Sequence, residues 1–319
     1  MNVIFMGTPD FAVPVLDAIK NAGHTVKLVV TQPDKPRGRG KKVTYSPVKE
    51  WAVEQNIPVY QPERIRNPES VEMVNTIPAD VCVVAAFGQI LPKEILDHPK
   101  YGCVNVHASL LPKYRGAAPI QWSILNGDEY TGVTTMQMGP GLDDGDILLQ
   151  EKVKIADDET GGSLFDKLAD VGASLLVETL DGIEKGTITP VPQDESQATH
   201  VGMIRKDMGK LDFTVSAEIL ERRVRGLYPW PGSYTFLDGK SLKVYKSSYI
   251  AESELDDSQN RAHVGTIVIV NADGDGTIAV RCADGALALH EVQLEGKKRM
   301  TVSAFLNGHP LVVGTTLNT

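Results

Sequence analysis

Short runs rich in Val and Ile alternate, along the first half of the chain, with segments whose apolar positions recur at helical spacing. Asn2-Val3-Ile4-Phe5-Met6 predicts a buried strand, Gly7-Thr8-Pro9-Asp10 a turn, and residues 11–22 a helix. Further apolar runs at 26–30, 81–86 and 103–106 predict strands, and helical patterns fall at 46–55, 67–76, 117–125 and 163–185. Strands that are apolar throughout must be covered on both faces, and intervening helices supply the cover. The expectation for residues 1–189 is therefore an α/β domain built on a doubly wound, mainly parallel sheet.

The period then changes. Residues 190–205 include Pro190, Pro192, Gln193, Asp194, Glu195 and Ser196, a polar run without periodicity that suits an exposed linker. Beyond it, a helical stretch at 216–224 and the turn-rich Tyr228-Pro229-Trp230-Pro231-Gly232 precede alternating strands at 242–249, 264–270, 277–282 and 286–294. Asp-Gly pairs punctuate them, so residues 206–319 predict a small β-barrel of the OB-like kind.

Composition narrows the class. With 42% hydrophobic and 23% charged residues, the 319-residue chain can build two cores, and it has no apolar run long enough to span a bilayer. Cys82, Cys103 and Cys282 are few and far apart, as buried thiols in a reducing compartment are, and the N-terminus reads as a strand rather than a signal peptide. A cytoplasmic protein is expected. The net charge of -9 argues against an indiscriminate nucleic-acid coat, because such binding rests on phosphate neutralisation. Against that acidic background Lys35, Arg37, Arg39, Lys41, Lys42 and Lys49 fall in one stretch with no acidic residue.

The first turn has one glycine and no Gly-Lys-Ser, which disfavours a nicotinamide dehydrogenase and a P-loop NTPase. Asn105 and His107 stand two apart at the end of a predicted strand and so share a face. Such a pair can bond local backbone, or it can aim an amide and an imidazole at a developing oxyanion. Gly139-Pro140-Gly141-Leu142-Asp143-Asp144-Gly145-Asp146 sets three carboxylates in a glycine-rich loop without the ordered spacing and final glutamate of a calcium loop. Turn chemistry alone also accounts for it.

Jointly, Asn105, His107 and Asp143, the Ser109-Leu110-Leu111-Pro112 stretch and Arg115-Gly116-Ala117-Ala118-Pro119 resemble the enzymes that transfer formyl from 10-formyltetrahydrofolate. Gly7-Thr8-Pro9-Asp10-Phe11, the basic stretch after Gln32-Pro33-Asp34 and Tyr228-Pro229-Trp230-Pro231 extend the resemblance, within that family, to members acting on methionyl-tRNA. The resemblance implies a Rossmann-like formyltransferase domain and a barrel that binds tRNA. It implies Asn105, His107 and Asp143 as the catalytic set, with Asn105 and His107 donating to the oxyanion and Asp143 holding His107 and handling a proton. Asp143 is preferred over Asp144 and Asp146 because related transferases keep Leu-Asp before a small residue and Gly. Ser109, Leu110, Leu111 and Pro112 would lie along the folate, and Lys35, Arg37, Arg39, Lys41 and Lys42 would meet the acceptor stem, Arg39 as a wedge. The cosubstrate would be 10-formyltetrahydrofolate with no metal, the partner methionyl initiator tRNA, and the enzyme a monomer away from membranes. Rival expectations are an amino sugar nucleotide formyltransferase, a formyl-folate hydrolase and a non-catalytic RNA-binding protein.

Overall fold

The structure, a computed structural model, describes residues 1–37 and 42–318. Its chain forms two compact units, the first from residues 1–120, 130–154 and 165–202, the second from residues 121–129, 155–164 and 203–319. Two short segments that precede the main body of the second unit in sequence cluster with it, and residues 190–202 cluster with the first.

Seven strands form the sheet of the first unit, in the order Ile147–Lys154, Tyr130–Gln137, Cys103–His107, Val81–Ala85, Asn2–Gly7, Thr25–Val30 and Val59–Tyr60. The last five run parallel, and every residue of Val81–Ala85 and Cys103–His107 is buried, as a two-sided cover demands. Tyr130–Gln137 and Ile147–Lys154 add an antiparallel edge that the sequence pattern does not signal, since Thr and charged residues interrupt its apolar positions. Helix Pro47–Glu54 starts where expected because Ser46 Oγ accepts from Lys49 N at 3.2 Å and Pro47 follows as the first helical residue. Helix Gly161–Lys185 lies so close to the third strand that a Cβ at Gly172 would come within 2.9 Å of Val106 Cγ1.

The basic stretch forms a short hairpin, Lys35–Arg37 pairing with Lys42–Thr44. Arg39 and Lys41 lie outside the described residues, as do the side chains of Lys35, Arg37 and Lys42.

In the second unit, antiparallel strands run in the order Ser233–Leu237, Lys240–Ile250, Ala286–Leu294, Thr277–Arg281 and Ile267–Asn271, with Met300–Thr301 added beside Ala286–Leu294. The chain's last residues close the sheet. Leu317 N donates to Gly265 O at 2.8 Å, and Asn318 N donates to Phe236 O at 3.0 Å, so residues 314–318 bridge the first strand to the last. Phe213, Leu220, Leu242, Leu289 and Phe305 fill the interior. Arg299 of the second unit is engaged within its own fold. It pairs with Glu291 and lies 4.5 Å from the centre of the Tyr245 ring, while Lys297 and Lys298 are exposed. Among the described residues no helix is long and apolar enough to cross a membrane.

Candidate active site

Strand Cys103–His107 ends at the carboxyl edge of the parallel sheet, where open α/β sheets bind ligands. Pairing with Val84 and Met136 fixes Asn105, and pairing with Thr134 fixes His107, so both side chains leave the same face. Asn105 is 8% exposed, and its side-chain amide makes no hydrogen bond among the described residues. Its nitrogen and oxygen are not among the buried, unpartnered side-chain atoms, so water reaches them, and the amide is open to a ligand at no standing desolvation cost.

His107 is 7% exposed and its two ring nitrogens meet different groups. Nε2 is 3.0 Å from Tyr114 O, an oxygen that can only accept, so Nε2 carries a proton. Nδ1 faces Asp143 Oδ2 at 3.8 Å, beyond hydrogen-bond range and too close to admit a group between them, an ion-pair distance once the ring is charged. The imidazole is therefore anchored at one nitrogen and open for chemistry at the other.

Asp143 reaches this position because loop 138–146 folds back over the strand, and Gly116 N donates to its Oδ2 at 2.8 Å. Gly116 has a φ of 103°, and a Cβ there would sit 2.6 Å from Val201 O, so the donor position admits only glycine. Tyr114, Ala118 and Asp143 have φ of 61°, 59° and 51°, left-handed values that cost energy in non-glycine residues and gather here around one carboxylate. Asp144 turns away, its carboxylate so close to Gly141 that a Cβ there would meet Oδ2 at 2.0 Å.

The Ser109 to Pro112 stretch is a turn bound into the body. Thr134 Oγ1 donates to Ser109 O at 2.7 Å and accepts from Leu111 N at 3.1 Å, and Gln150 Nε2 donates to Leu111 O at 2.9 Å. Ser109 and Leu111 are buried, so Leu110, Pro112 and the backbone are what this wall presents. Arg115, 3% exposed, bonds Glu195 through Nη2 at 2.7 Å and Nη1 at 3.0 Å. The guanidinium holds the Glu195 carboxyl below its ordinary range, and that carboxylate in turn raises Arg115. Thr134, Gln150 and Gln193 are the supporting residues that sequence reasoning misses, because their partners lie tens of residues away and no local spacing marks them.

The family model described as Formyl transferase matches residues 1–180, and the one described as Formyl transferase, C-terminal domain, matches residues 203–310. The methionyl-tRNA formyltransferase of Lachnospira eligens is 56% identical, covering 99% of this chain and 99% of its own length. The chain belongs to the methionyl-tRNA formyltransferase family. Its relatives of that name in Agathobacter rectalis and Clostridioides difficile are 54% and 47% identical, covering 97% and 99% of this chain and 96% and 100% of their own lengths. Among solved structures, WlaRD, a sugar 3N-formyl transferase, superposes with a TM-score of 0.64 at 19% identity over 93% of this chain and 99% of its own. The N-formyltransferase from Helicobacter canadensis gives 0.65 at 18% identity over 90% of this chain and 97% of its own. At those identities the likeness shows the fold, which carries a formyltransferase first unit and an antiparallel second unit in this family member.

Proposed function

We propose that this chain, acting as a monomer, transfers formyl from 10-formyltetrahydrofolate to the α-amine of methionine on charged initiator tRNA, for translation initiation. The observation that carries the reading is the unbonded Asn105 amide, open to solvent, beside a His107 whose Nδ1 faces Asp143. The methionyl nitrogen attacks the formyl carbon, the bond from that carbon to N10 breaks, and one proton passes from the attacking nitrogen to the departing one. Asn105 donates to the formyl oxygen as negative charge builds on it. His107, its Nε2 proton held by Tyr114 O, donates from Nδ1 when protonated there, and Asp143 exchanges that proton. An ordinary α-amine has a pKa of about 7.7 to 8.0, so part of it is already neutral near pH 7.5 and positioning is the larger task.

Leu110, Pro112 and the backbone of Ser109 and Leu111 form the wall along the folate. Lys35, Arg37 and Lys42 of the hairpin, together with Arg39 and Lys41 of the same basic stretch, meet acceptor-stem phosphates. That row of phosphates separates this reading from an amino sugar nucleotide as acceptor, whose single diphosphate is too short to engage five basic residues. The test is to supply 10-formyltetrahydrofolate with either methionyl initiator tRNA or an amino sugar nucleotide. Formylation of the tRNA is expected, and formylation of the sugar alone contradicts the proposal.

A further inference from the structure

Gln193 lies in the polar run whose sequence predicts only an exposed linker, yet its side-chain amide is used at both ends. Nε2 donates to Asp143 O at 2.9 Å and to Gly145 O at 2.7 Å, and Oε1 accepts from Arg115 Nε at 3.1 Å and Nη2 at 2.9 Å. Carbonyls only accept and a guanidinium only donates, so the amide has one orientation that satisfies all four contacts. Arg115 is itself fixed by Glu195. The Asp143 loop is thus held from two sides, its carboxylate by Gly116 N–H and its backbone by Gln193.

Docking of residues 190–202 does not depend on this amide. Val191 and Ile147 exchange two backbone bonds of 2.9 and 2.8 Å, and His200–Val201 pairs with Arg115–Gly116. What the amide adds is a pair of donors to the two carbonyls that flank Asp144, in a loop where Asp143 adopts a left-handed φ of 51°. We infer that Gln193 is a positioning residue for formyl transfer, holding the Asp143 carboxylate opposite His107 Nδ1, with Arg115 keeping the Gln193 amide in its one useful orientation. This rests on the catalytic reading of Asp143 given above. Without the two donors the loop carbonyls seek water, and the carboxylate withdraws from His107.

Two substitutions separate positioning from docking. Gln193→Glu keeps an acceptor for Arg115 but brings no donor, and it sets a carboxylate against two carbonyls. Gln193→Met removes both functions at similar size. In the full-length protein, with methionyl-tRNA and 10-formyltetrahydrofolate saturating, each is expected to slow single-turnover transfer by about 10-fold to 10²-fold, the scale of a misplacement near 1 Å. The folate KM and the urea midpoint should stay near the parent's. Added to Asp143→Asn, Gln193→Met should cost less than about twofold more, because residues acting through one group are not additive. The exposed Gln197→Ala serves as the unchanged control. A Gln193→Glu variant with the parental rate, or full additivity with a slow Asp143→Asn, overturns the positioning role alone. An Asp143→Asn variant with the parental rate overturns the catalytic reading of Asp143 and the role of Gln193 with it.

Discussion

Replacing Asn105 by Leu should leave the protein close to its parental stability and nearly inactive, a combination that few polar strand positions would give. Asn105 is 8% exposed, its amide is unbonded among the described residues, and its cross-strand neighbours Val84 and Met136 are apolar. Its amide atoms are not among the buried, unpartnered ones, so water reaches them and the substitution breaks no internal hydrogen bond. Leu shares the branched outline of Asn but is larger, so urea unfolding should differ from the parent by less than about 1.5 kcal/mol. The rate should fall. Losing one donor to a developing oxyanion costs about 2.7–4 kcal/mol, or roughly 10² to 10³ in single-turnover transfer, while tRNA affinity stays unchanged. A variant destabilised by several kcal/mol would show that the amide serves the fold. One with near-parental rate would remove Asn105 from the chemistry.

Asp143→Asn should slow turnover more than Asp144→Asn, since only Asp143 faces His107, and the reverse order in a paired kinetic comparison would move the role to Asp144. Replacing Arg39, Lys41 and Lys42 with alanine should weaken tRNA binding and reduce its log-log salt slope by roughly 0.7 to 0.9 per lost contact, with folate affinity unchanged. An unaltered slope and rate would reduce the hairpin to a surface feature. Asp34 is held below the ordinary carboxylate value of 3.8 by hydrogen bonds from Lys49, at 2.5 Å, and Gln61. Its contribution to stability is therefore full above that value and lost as pH falls through the lowered folded one. Asp34→Asn should be less stable than the parent at neutral pH, with the gap narrowing as pH falls below 3.8, and a gap independent of pH would refute the assignment.

The buried strands and their helices are legible because continuous Val and Ile runs have few other uses, and the Asn105 to Pro112 motif can be seen in sequence because its residues are contiguous. What escapes is whatever depends on distant partners. The antiparallel edge at Tyr130–Gln137 and Ile147–Lys154 carries Thr134 and Gln150, which bind the Ser109 turn from across the sheet. The polar run after Pro190 has the composition of a linker, and only the fold brings Gln193 to Asp143 and Glu195 to Arg115. Closure of the barrel by residues 314–318 likewise leaves no local sign, since its bonds run to Gly265 and Phe236.

If formyl passes from the folate to the methionyl nitrogen, its carbon can be followed from one to the other. Mixing the protein with 10-formyltetrahydrofolate labelled in its formyl carbon and a slight excess of methionyl initiator tRNA should place the label in N-formylmethionyl-tRNA, in step with the appearance of tetrahydrofolate. Label released as formate, or a folate consumed while the tRNA stays unformylated, would contradict the account.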